Sequence, residues 1–147
     1  MRSDTLLFLH VLAAMVLLGS AVTVAIMLVA VTRRIDDVAR AGLLLHFAYR
    51  LNMLVTIPAT VASIGFGEGL KAKADAVGTW LDVGSGLTYV GVLVGALVLH
   101  GFLRRGIAAT ERGHAPSPST MRGAASIAPA IVTAILVIAF LMSGKPA

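Results

Sequence analysis

Few side chains in this sequence could carry chemistry, and most of them are imidazoles or guanidiniums. There are four histidines, His10, His46, His100 and His114, and no cysteine. His46 and Arg50 stand four residues apart, a spacing that puts both on one face of a helix. His100 lies four residues before Arg104. If the helices carrying His46 and His100 face one another, the two imidazoles lie at similar depth. Histidines on facing helices can ligate a b-type haem from both sides, with Arg50 beside a propionate. The plainer use of His46, Arg50 and His100 is as anchors at a membrane interface, where basic side chains reach water. His10 falls roughly a leaflet away from them and is not expected to share their iron. Its expected neighbours are Tyr89 and Asp82, and it would relay a proton, face a water-filled path or make a simple hydrogen bond. Asn52 is a further polar candidate inside an apolar run, and His114 lies in a polar loop.

Much other chemistry is excluded. Without cysteine there are no disulfides, thiolate metal sites or cysteine nucleophiles. No phosphate-binding loop, zinc signature or nucleophile elbow occurs, so neither a catalytic constellation nor a metal site is expected. The glycine-rich run Gly65-Phe66-Gly67-Glu68-Gly69 follows an apolar stretch, the wrong context for a nucleotide fingerprint. Acids within the apolar stretches, on which ion-coupled transport often depends, are limited to Asp82, which suits a helix start.

The elements that must position these groups follow from composition. The 147 residues are 58% hydrophobic and 13% charged, against about 25% charged in soluble domains, and mean hydropathy is +0.93. Much of the surface therefore faces something other than water. The net charge of +5 comes from Arg and Lys flanking apolar runs, the pattern of membrane loops and not of a nucleic-acid-binding face. Four apolar stretches, 5–31, 42–66, 81–103 and 124–142, each reach the roughly 20 residues a helix needs to cross a bilayer. Backbone amides in hydrocarbon must be paired within the protein, and these runs do not alternate as barrel strands do. The expected fold is all-α: one integral membrane domain over 1–147, a transmembrane four-helix bundle running antiparallel up and down. The first stretch exceeds the about 7–15 apolar residues of a signal peptide and is expected to be a true span.

Helix starts are marked by Ser3 or Asp4, by Asp36 or Asp37, by Thr79 with Asp82, and by Ser117 before Pro118. A polar loop or short surface helix is expected over 67–78, and a loop over 112–120. Arg33, Arg34, Arg40, Arg104, Arg105, Arg112 and Arg122 make seven basic residues on one side, against four, Arg2, Lys71, Lys73 and Lys145, on the other. The positive-inside rule then puts both termini outside the cytoplasm, with Trp80 at the outer interface. Arg33-Arg34 and Pro58 recur as Arg104-Arg105 and Pro129 at a 71-residue offset, as a tandem hairpin repeat would give. Gly84, Thr88, Gly91 and Gly95 form a small-residue stripe, so the third helix is expected to be the most buried. Pro58 is expected to kink the second, with Thr56, Thr60 and Ser63 available to the freed backbone.

Leu9-His10-Val11-Leu12 followed by Gly19, Arg50 with Pro58, and Trp80-Leu81 followed by Tyr89 and Arg104-Arg105 carry a resemblance. The chain resembles a bacterial family of small predicted integral membrane proteins of unknown function. That family is loosely similar to four-helix membrane proteins of copper handling and to the haem-binding protoporphyrinogen oxidase family, which has a histidine in its first helix and a tryptophan where this chain has Leu17-Leu18. The resemblance reaches His10, Arg50 and Pro58 and implies a bacterial inner-membrane location.

The leading functional expectation is a non-enzymatic accessory or self-associating membrane subunit. Its partners would be the lipid bilayer and either a homo-oligomer or a larger membrane complex, with no cofactor. Haem b at His46, His100 and Arg50 in an electron-transfer or oxidase protein is the second expectation. A small-solute or metal-ion permease is the third.

Overall fold

The computed structural model describes residues 3–72 and 79–143, with the side chains at 79–85, 87, 88 and 141–143 outside the description. The elements are α1 (Ser3–Arg33), α2 (Val38–Leu51), a π turn (Asn52–Thr56), α3 (Ile57–Lys71), α4 (Thr79–Glu111) and α5 (Pro118–Ser143). Because α2, the π turn and α3 run on without a break, the described residues form four helical rods. Each is long and apolar enough to cross a membrane.

The rods pack in a ring. The first touches the second and fourth, the third touches the second and fourth, and no diagonal pair meets among the described residues. Chain neighbours are therefore antiparallel neighbours, as short connections require. The core is built from Leu17, Val24, Leu28, Leu45, Val92, Leu99 and Leu103 with small residues such as Ala41, Ala48, Ala96 and Ala124 between them. Phe8, Met15, Ile26, Leu54 and Phe140 point outward, each more than 60% exposed. In water such a surface would aggregate, whereas in lipid it is the natural solvent-facing side.

Local signals set the helix starts. Asp37 accepts from the Arg40 amide at 3.1 Å, and Ser117 Oγ accepts from the Thr120 amide at 3.2 Å with Pro118 in the first turn. Both relieve unpaired amides at a helix start. The end of α4 is closed by Gly113 at φ +75, with the His114 amide bonded to the Ala109 carbonyl at 3.0 Å. That left-handed residue after a helix is a glycine's place.

Several expectations are corrected. The third rod does not stop at 103. Arg104 and Arg105 lie inside α4, which runs to Glu111. The reason is packing: Gly106 lies against Leu45 and Thr110 against Gly42, so α2 and α4 stay together beyond the apolar stretch. The residues 67–71, expected in a polar loop or a short surface helix, are helical but continue α3, where Lys71 pairs with Glu68 at 2.9 Å. The stripe on the third rod is not a single buried seam. Gly95 meets Ile131 of α5, but Gly91 is exposed with nothing near it, and the side chains of Gly84 and Thr88 lie outside the described residues. Among the described residues, the most apolar stretches of the first and third rods are equally buried. Trp80, Asp82 and the Thr79 cap also fall among the side chains not described, as do Lys73 and Asp75. The 71-residue offset is met only in part. Arg33 ends α1 while Arg104 is internal to α4, and Pro58 follows a π turn while Pro129 sits within α-helix.

Candidate functional site

The buried polar groups lie mostly on one face of the second rod. Asn52, Thr56, Thr60 and Ser63 are buried, and with Gly67 they are spaced four, four, three and four apart, which is a helical stripe. The π turn helps to place them. Pro58 has no N–H to give to the carbonyl four residues back. The chain widens there, and the Ile57 amide bonds instead to Asn52 O, five residues back. Wide turns of this kind often mark functional positions in helices. Thr56 Oγ1 reaches the Leu51 carbonyl at 3.5 Å and donates to Ser20 Oγ at 3.0 Å. Thr60 Oγ1 donates to the Thr56 carbonyl at 2.8 Å, and Ser20 donates to Leu17 O at 3.0 Å. The expected service of Thr56, Thr60 and Ser63 to the backbone freed by Pro58 is met only in part: the two threonines bond to the Leu51 and Thr56 carbonyls and not to that of Leu54, and Ser63 turns to Tyr89.

At the Gly67 end of the stripe stands His10. It is about 10 Å along α1 from Ser3 at 1.5 Å per residue, and it is buried. Its Nδ1 lies 2.9 Å from the Ser63 carbonyl. A carbonyl only accepts, so Nδ1 carries a proton, and in a neutral imidazole Nε2 is left as the acceptor. Gly67 makes the approach possible, because a β-carbon there would stand 3.2 Å from His10 Cε1. Ser63 Oγ in turn donates to Tyr89 OH at 3.3 Å. Three rods thus bring His10, Ser63 and Tyr89 together. Tyr89 was an expected neighbour of His10 and arrives through Ser63. Ser63 itself was missed as a site residue, although its place in the Asn52–Gly67 stripe was readable in the sequence.

These groups form the polar floor of a cavity of about 340 Å³ lined by all four rods. Its other walls are apolar, among them Leu7, Val11 and Ala14 of α1 and Ile135 and Ile138 of α5. A cavity of this size with a few convergent polar groups is the usual form of a small-molecule site.

Asn52 anchors the stripe's other end. Its Nδ2 donates to the Ala96 carbonyl at 3.0 Å, while its Oδ1 is buried without a partner among the described residues, as is His100 Nδ1. The His100 ring packs on Tyr49, centroids 4.7 Å apart. His46 turns elsewhere. Its Nδ1 bonds to the Gly42 carbonyl of its own helix at 2.9 Å, and Nε2 faces Glu111 Oε1 at 3.7 Å. His46 and Arg50 are both exposed. His46 and His100 thus have different partners, His46 toward Glu111 and His100 on Tyr49.

A scan against protein-family models gives no match for this chain, and searches of curated proteins and of solved structures give none either.

Proposed function

We propose that this chain is a non-enzymatic subunit of a bacterial inner membrane, with both termini outside the cytoplasm, that holds one lipid-soluble molecule in its outer half. The ligand class is an apolar body bearing a single carbonyl or hydroxyl oxygen. The observation that carries this reading is the apolar cavity whose floor is His10, Ser63 and Tyr89. Val11 and Met15, which line it, are also exposed on the outside of the bundle, so the ligand enters sideways from the bilayer. The Tyr89 hydroxyl accepts from Ser63 and keeps its own proton to donate to that oxygen, His10 Nε2 can accept from it where it is a hydroxyl, and the walls take the apolar remainder. Association with other subunits remains the route by which a bound molecule would be passed on.

The test is extraction. Protein purified in mild detergent from its native membrane is extracted with organic solvent, and the extract is weighed against protein by mass spectrometry. The expected result is one non-phospholipid species near equimolar ratio, lost on Ala14→Trp, which fills the cavity. An extract holding only phospholipid in bilayer proportions, identical for the variant, overturns the reading.

A further inference from the structure

The first and fourth rods part again at the opposite, basic end of the bundle. A groove of about 590 Å³ lies between them, lined by Ala25, Ile26, Val29 and Ala30 of α1 and by Pro129 and Val132 of α5. Ala25 and Ala30 leave the space, because methyl side chains cannot span the gap between the rods. Arg33 and Arg34 close the groove at its basic end. Neither makes an ion pair with an acid among the described residues, while Asp37, close by in sequence, is taken by Arg40 at 3.3 Å.

The length of the groove identifies its occupant. From Val22 to Arg33, both lining residues, is eleven residues of helix, about 16 Å. Half of a bilayer's hydrocarbon thickness is about 15 Å. An acyl chain laid along the groove therefore brings its headgroup to the level of the two guanidiniums. Paired guanidiniums at headgroup depth bind phosphate through charge-assisted, fork-like hydrogen bonds, and basic clefts between membrane helices on the cytoplasmic side take anionic headgroups. We infer that this groove is a binding site for one anionic phospholipid, its phosphate on Arg33 and Arg34 and one acyl chain between α1 and α5. The inference does not depend on the cavity at His10, which lies toward the other end of the bundle.

Native mass spectrometry of the full chain released from nanodiscs of equal parts phosphatidylglycerol and phosphatidylcholine tests it. Wild type is expected to retain one phosphatidylglycerol in preference to phosphatidylcholine. Arg33→Gln with Arg34→Gln is expected to weaken retention about thirtyfold, the effect of two headgroup-level charges. Ala30→Phe keeps both charges but fills the groove, and is expected to lose the lipid as well. Arg112→Gln, an exposed arginine outside the groove, is expected to retain it. Equal retention of the two lipids overturns the inference. So does loss in the double arginine variant without loss in Ala30→Phe, which marks attraction to charge alone, and so does equal loss in Arg112→Gln. Thermal unfolding in detergent checks each variant's fold, and Val29→Phe replaces Ala30→Phe if the latter does not fold.

Discussion

His10 and Gly67 are in contact across the first two rods, with Cε1 of the imidazole 3.2 Å from where a β-carbon on Gly67 would stand. The ring cannot easily retreat, because Nδ1 is tied to the Ser63 carbonyl at 2.9 Å. Gly67→Ala gains up to about 1 kcal/mol of helix propensity and strains a hydrogen bond of about 1 kcal/mol. Thermal stability should therefore change little, while the Nδ1 proton, protected in the native protein, becomes exchangeable. A protected Nδ1 resonance in the variant would show that the ring has room to spare.

Asn52 gives the reverse contrast. Its Nδ2 bond to Ala96 crosses between rods, and such bonds contribute roughly 0.6 kcal/mol on average in membranes. Its Oδ1 is buried without a partner among the described residues, which is costly. Asn52→Ala loses the bond and opens a cavity, so a loss of about 1–2 kcal/mol is expected. Asn52→Leu keeps the volume and removes the unpaired acceptor, so it should unfold at a higher temperature than Asn52→Ala. The opposite order in detergent melts would mean that Oδ1 has a partner in the membrane.

Two glycines of α4 five residues apart should behave differently. A β-carbon at Gly106 would stand 3.0 Å from Leu45 Cδ1, and Leu45 is fully buried, whereas Gly101 has nothing within 4 Å. Gly106→Val should cost about 1–3 kcal/mol by overpacking. Gly101→Val should stay within about 0.5 kcal/mol. Urea or thermal titration of the pair in one detergent measures the difference.

The absence of cysteine makes topology directly measurable, since each introduced thiol is the only one. With both termini outside, Asp36→Cys and His114→Cys should react with a membrane-impermeant maleimide only from the cytoplasmic face, and Ser3→Cys only from the other. Reversed labelling of all three reverses the orientation. Labelling of Ser3→Cys and Asp36→Cys from one side would mean that the first apolar stretch does not cross.

The four spans and the caps at Asp37 and Ser117 were legible in the linear chain. So was the polar stripe through Asn52, Thr56, Thr60 and Ser63, had its spacing been followed beyond Pro58. The facing of His46 and His100 was not. Depth along a helix is counted in residues, but rotation and register between helices are not. The 4.7 Å approach of Tyr49 to His100 and the turn of His46 toward Glu111 follow from Leu45 sitting on Gly106 and Thr110 on Gly42.

What the sequence determined alone is the helical, lipid-facing character of the chain and where the second and fourth rods begin, because hydropathy, backbone pairing and capping act within a few residues of one another. The tertiary structure decided which polar groups meet. Close approach is set where a missing side chain on one helix receives a bulky one from another, and Gly67 under His10 is such a place, formed by residues 57 positions apart in the chain.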